Sequence, residues 1–177
     1  MQLKKRSTRT LLLSCLLVMV SLIYLPGISG PYTFDDYPNL LTNSYVQIKS
    51  LDAESLYQAA YSLAAGPLMR PVSMLSFAVN YYFAGSFDDP APYKLTNIFL
   101  HSLNGLLVFW LAQLIFTRLK QENRKTFLSG SYINARTLSI LSALIAALWI
   151  VHPIQVTSVL YVVQRMASLS GDRKSVV

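Results

Sequence analysis

Three stretches without a single Asp, Glu, Lys or Arg constrain this chain more than any other feature. The first lies between Arg9 and Asp35 and holds the apolar run 11–25, closed by Pro26-Gly27. The second is 95–117, and the third is 137–164, interrupted by His152-Pro153. A helix needs about 20 apolar residues to cross a bilayer, and proline inside a helix removes a hydrogen bond. The expected fold class is therefore an all-α polytopic membrane protein. Its helices are predicted at 10–26, 93–117 and 137–151, followed by a separate outer-side helix within 152–171, from Ile154 to Ser170.

Composition agrees. Only 13% of the 177 residues are charged, against about 25% in soluble domains. The formal net charge is +7 but the mean hydropathy is +0.41, so the excess of Lys and Arg does not describe a hydrophilic nucleic-acid binder. One cysteine, Cys15, excludes an internal disulfide framework. Leu13-Ser14-Cys15 lies too early to be a lipoprotein site. A cleavable signal peptide ending near Ser29-Gly30 is the alternative to an uncleaved first helix.

The basic residues explain topology. Lys4, Lys5, Arg6 and Arg9 precede the first helix, and Arg118, Lys120, Arg124, Lys125 and Arg136 lie between the second and third. Segment 27–92 holds only Lys49 and Arg70, yet carries Asp35, Asp36, Asp52, Glu54, Asp88 and Asp89. Positive residues stay on the cytoplasmic side. This places the basic tail 1–9 and the loop 118–136 inside and 27–92 outside, with no nucleic-acid partner required.

The outer segment is too long for a plain connector. Asp52 suits an N-cap, with Leu51 and Leu56 at the positions of a hydrophobic staple. A helix is predicted over 53–64 and stopped by Gly66-Pro67. Pro71 fits the first turn of a second helix, with Val72, Leu75, Ser76, Val79 and Phe83 on one stripe and Phe77, Tyr81 and Tyr82 beside it. That pattern suits a helix lying in the membrane interface.

Two constellations can carry chemistry. Adjacent carboxylates such as Asp35-Asp36 can hold a divalent cation, Mg or Mn, or supply a general base. Asp88-Asp89 has the same composition, and the residue types alone do not separate the two pairs. Lys94, Asn97, His101 and Asn104 share one face of the second helix. Such polar groups either serve a site or bond neighbouring helices. Arg165, on a face with Thr157, Tyr161, Gln164 and Ser168, is expected near the membrane surface, where its fork can grip a lipid phosphate.

Three ordered stretches carry a resemblance. They are Phe34-Asp35-Asp36 with Asn43; then Arg70-Pro71, Leu75-Ser76-Phe77 and Asn80-Tyr81, with Tyr93-Lys94-Leu95-Thr96-Asn97 and Leu100-His101; and His152-Pro153-Ile154 with Gln164-Arg165. Together they resemble the transmembrane and tetratricopeptide-repeat O-mannosyltransferases and their bacterial relatives, of the C-type glycosyltransferase membrane fold. The resemblance implies the N-terminal part of that fold, with amphipathic helices in the first outer loop, in a bacterial inner membrane. It implies inverting transfer of a sugar from a polyprenyl-phosphate carrier to a protein hydroxyl at the outer face. Asp35 and Asp36 match the family's acidic motif and become the catalytic pair. Arg70, Lys94, Asn97, His101, His152, Gln164 and Arg165 become candidates for shaping the site or holding the carrier.

The family continues into more spans and then tetratricopeptide repeats, and no 34-residue repeat is visible here. Residues 172–177 also match the translation of a widely used sequencing adapter, so the natural frame is expected to diverge near Ser170. A fragment of this kind is expected to be inactive alone. The competing readings are a small non-catalytic membrane scaffold or assembly subunit, and an oligosaccharide ligase or polymerase of the same fold. A transporter is disfavoured because the acidic pairs lie at the surface rather than mid-membrane.

Overall fold

A computed structural model of the chain describes residues 2–63, 70–123 and 134–169. Every regular element among them is helical. Helix α1 is Gln2–Tyr24, and Pro26 closes it in the 3-10 turn Leu25–Gly27. Helix α2 is Ala53–Ala60, α3 is Pro71–Ala84 and α4 is Ala91–Asn123. Helix α5 is Ala135–Val151, α6 is Gln155–Leu160 and α7 is Arg165–Leu169. Two stretches, Thr8–Gly27 and Ala91–Gln121, are long and apolar enough to cross a membrane, and Ala135–Val151 is a shorter apolar helix.

Local chemistry sets most boundaries. Asp52 caps α2 as expected, accepting from the Ser55 amide at 2.9 Å. The Ser50 hydroxyl, then Ser55, hold its carboxyl well below the usual carboxylate range. Helix α2 ends at Ala60, short of the predicted residue 64, with the Ser62 hydroxyl taking the Ala59 carbonyl at 2.8 Å. Leu51 stays exposed, so the predicted staple does not enclose it. The Gly66-Pro67 stop lies outside the described residues, as does the tail 172–177. Pro71 opens α3, and Gly85 ends it at φ +81°, where its amide reaches Tyr81. Helix α3 buries Ser73, Met74, Phe77 and Ala78, while Val72, Val79 and Phe83 from the expected stripe remain exposed. It is thus apolar on two faces.

The predicted helix over 154–170 is a correction. It breaks into α6, an extended Tyr161, the 3-10 turn Val162–Gln164, and α7. In a continuous helix the Val163 amide would donate to the Val159 carbonyl. Here the Val163 amide donates to Asp36 Oδ1 at 2.7 Å. The Val159 carbonyl accepts from Asn97 Nδ2 at 3.1 Å instead. Two side chains from elsewhere in the sequence replace one helical hydrogen bond.

The chain divides into two compact units. One comprises 1–23 and 101–153. Within it α4 and α5 meet closely at Gly105, where a β-carbon would lie 2.6 Å from Ile150 Cδ1. The other comprises 24–100 and 154–177. Its core gathers Leu40, Val46, Met74, Phe77, Tyr93, Val162 and Met166.

Ile150 is 1% exposed, so it has little room to yield. Gly105→Ala should lower stability by about 1–3 kcal/mol through overpacking. Thermal unfolding in detergent checks this, and Ile150→Val should recover part of the loss in the double variant.

Candidate functional site

The second unit is organised around Arg165, the first residue of α7, which has no exposed surface. Its Nε donates to Asn97 Oδ1 at 2.7 Å. Nη1 donates to the Ser76 carbonyl at 3.1 Å, and Nη2 to Asn80 Oδ1 and the Tyr93 carbonyl, both at 2.9 Å. The guanidinium also lies 4.3 Å from the centre of the Phe77 ring, a cation–π geometry. All these partners are neutral. Burial pushes the pKa of Arg165 down to about 9, with Tyr93 and Tyr32 opposing, so the group stays charged at neutral pH. The expectation that Arg165 would present an open fork near the membrane surface is therefore corrected: each of its three nitrogens is engaged inside the protein.

Asn97, on α4, is the second junction. Its carbonyl oxygen holds Arg165 while its amide donates to the Val159 and Val162 carbonyls at 3.1 and 3.2 Å. Lys94, one turn earlier, is buried too and donates to the Gly30 carbonyl at 2.6 Å. The polar face predicted on this helix thus binds backbone at these two positions. His101 belongs to the other unit, stacked on Trp149 at 4.9 Å with Nε2 3.4 Å from the Ile150 carbonyl. His152 lies in that unit as the exposed residue closing α5.

The two acidic residues of the first motif have different environments. Asp36 is 1% exposed. Its Oδ2 accepts from the Thr33 amide at 2.9 Å, and its Oδ1 accepts from the Val163 amide. Burial raises its pKa, opposed by these two amides and by Lys94. Asp35 is exposed. Its amide donates to the Tyr161 hydroxyl at 2.8 Å, and its carbonyl accepts from Asn39 Nδ2 at 2.8 Å. Its carboxylate has no hydrogen-bond partner among the described residues. Asp35 lines a cleft of about 590 Å³ with Pro38, Asn39, Thr42, Asn43, Ser44, Tyr45 and Ser62. Phe34, just before it, has φ +39° and is 84% exposed. A bulky residue rarely adopts that backbone.

The second acidic pair is told apart by its contacts. Asp89 Oδ1 accepts from the Ala91 amide at 2.9 Å, which caps the start of α4. Arg70 is exposed at the N-terminus of α3 with φ +24°, and Gln164 is half-buried in the 3-10 turn. Ser76, Tyr93 and Asn39 were not singled out for a site from the sequence. Spacing could not reveal them, because Ser76 and Tyr93 act largely through backbone carbonyls.

Among the described residues a divalent cation would find little beyond one carboxylate. Both Asp36 oxygens face backbone amides, and no three His, Cys, Asp or Glu cluster among the described residues. That leaves Asp35 as a single carboxylate, and a magnesium ion held by it would have to take its other ligands from water and a substrate phosphate.

The chain is 28% identical over 142 residues to the human protein O-mannosyl-transferase TMTC4. The match covers 77% of this chain and 18% of that protein. This similarity supports a distant relationship to that transferase. No family model matches the chain, and no solved structure matches it.

Arg165→Met would leave four oxygens without their donor, so it should cost about 3 kcal/mol or more. The check is loss of monodisperse protein or a large drop in thermal midpoint. Asp36 binds its proton more tightly folded than unfolded. Its contribution to stability is then fullest below the ordinary carboxylate value of about 3.9 and declines as pH rises through the folded value. Asp36→Asn should remove that slope from a pH series of unfolding measurements.

Proposed function

We propose that this chain is the N-terminal part of a polytopic membrane glycosyltransferase that moves a sugar from a polyprenyl-phosphate carrier to a protein hydroxyl. The observation that carries the reading is Asp35. Its backbone is tied at both ends, its carboxylate has no hydrogen-bond partner among the described residues, and Asp35 lines a cleft. The similarity to a protein O-mannosyl-transferase supports the reaction class. The chain spans 18% of that relative's length, and the complete activity is proposed for the full-length protein.

In this reading Asp35 is the general base and Asp36 holds the turn. Asp35 takes the proton of the acceptor hydroxyl. The freed oxygen attacks the anomeric carbon, the bond from that carbon to the carrier phosphate breaks, and the lipid phosphate leaves with the electron pair. A phosphate of this kind needs nearby positive charge or donors. Arg70 is exposed and suits that task better than Arg165 or Lys94, whose donors hold protein oxygens. The bilayer, the lipid-linked donor and a protein acceptor are the partners. The charge distribution supports a cytoplasmic N-terminus and transfer at the outer face, and the membrane we propose is a bacterial inner membrane.

The full-length protein, assayed in membranes with hexose-charged undecaprenyl phosphate and a threonine-containing peptide, tests this. Asp35→Asn should lower kcat by about 100-fold or more with a modest change in KM. Transfer at the wild-type rate by Asp35→Asn would remove the base assignment.

A further inference from the structure

The Tyr161 hydroxyl accepts the Asp35 amide from 126 positions away in the chain. Tyr161 is the one extended residue between α6 and the 3-10 turn, with ψ 112°. The bonds on both sides of it fix that conformation. Asn97 holds the Val159 and Val162 carbonyls, Asp36 holds the Val163 amide, and Arg165 donates to the Asn97 side-chain oxygen. Were 154–170 one continuous helix, the Val163 amide would be spent within it and the bond to Asp36 lost.

The turn that receives the hydroxyl is under backbone strain. Phe34 sits at φ +39°, and its neighbours close two tight bonds, Asp36 amide to Thr33 carbonyl at 2.9 Å and Tyr37 amide to Phe34 carbonyl at 3.2 Å. Strained backbone of this kind persists only where its surroundings over-determine it. At Asp35 the surroundings are Asn39 on the carbonyl and Tyr161 on the amide. Asn39 is local and moves with the turn. Tyr161 is anchored to the core of the unit through the segment just described.

We propose that Tyr161 is a positioning residue for Asp35: its hydroxyl clamps the strained 33–37 turn to the 159–165 segment and so fixes how Asp35 is placed beside the cleft it lines. The clamp deepens the reading of Asp35 as a general base and, as a mechanistic statement, rests on it. Tyr161 does not touch the reacting atoms. Its effect reaches the substrate only through the placement of Asp35, so it should alter the chemical step more than ground-state binding.

Tyr161→Phe keeps the ring and removes only the acceptor oxygen. Two measurements on the full-length protein test it. Hydrogen–deuterium exchange of the segment 33–40 should speed up about tenfold at the Asp35 amide, while exchange in α3 and the thermal midpoint stay close to wild type. In the transfer assay with hexose-charged undecaprenyl phosphate and a threonine peptide, kcat should fall about tenfold with KM within about twofold. Unchanged exchange at Asp35 overturns the clamp. Faster exchange with unchanged kcat overturns its role in positioning. If wild-type protein transfers nothing, the proposed reaction fails while the exchange result still decides whether the clamp exists. A Tyr161→Phe protein that loses its fold would overturn the assignment in favour of a purely structural role.

Discussion

A buried guanidinium with no carboxylate against it among the described residues holds the second unit together. Removing a full charge from water costs several kcal/mol even after relaxation, and Arg165 meets that cost with neutral oxygens from Asn97, Ser76, Asn80 and Tyr93 and with the face of Phe77. These residues come from α3 and α4, while Arg165 begins α7. The cation therefore ties three helices that would otherwise meet only through apolar packing. Lysine in its place would bring one nitrogen where the site uses three, and a point charge cannot match a planar fork.

The same constraint explains why the segment after His152-Pro153 is not one helix. Each helical carbonyl and amide must be satisfied somewhere. Asn97 takes the Val159 carbonyl and Asp36 the Val163 amide, so the break costs no unpaired backbone group at that pair. The broken helix is also what leaves Tyr161 free to face the 33–37 turn. Fold and candidate site are thus parts of one hydrogen-bond network running from Arg165 through Asn97 to the acidic turn.

Sequence reasoning reached what depends on local chemistry and hydropathy. Charge-free runs located α1, α4 and α5, Asp52 marked the start of α2, and Pro71 marked the start of α3. The helical spacing of Lys94, Asn97, His101 and Asn104 put them on one face, and the first three are buried. It misjudged the segment from Ile154 onward because Val156, Val159, Leu160 and Val163 repeat at helical spacing, and nothing local announces that Asn97 and Asp36 will capture the backbone. It likewise treated Asp35 and Asp36 as equivalent. Identical side chains one residue apart differ only in which direction the chain turns them, and that depends on a contact to residue 163. The placement of Arg165 near a lipid surface failed for a related reason. A lone arginine beside polar residues reads the same whether its neighbours are water and phosphate or amides and carbonyls.

The acidic turn shows how these levels combine. Holding Phe34 at positive φ costs about 1–3 kcal/mol, and each neutral hydrogen bond returns roughly 1 kcal/mol. Neither the local turn bonds nor the distant ones have much margin by themselves. Together the Thr33, Asn39, Tyr161 and Val163 contacts exceed the strain, and two of the four come from residues beyond position 160. The backbone of Asp35 is fixed at its amide and its carbonyl, while its carboxylate has no hydrogen-bond partner among the described residues. An exposed carboxylate on an immobilised backbone avoids the ordering cost that a flexible loop would have to meet when an acceptor arrives. The strain at Phe34 therefore belongs with the reading of Asp35 as the reactive group, since a turn serving only to connect helices could relax to ordinary backbone angles.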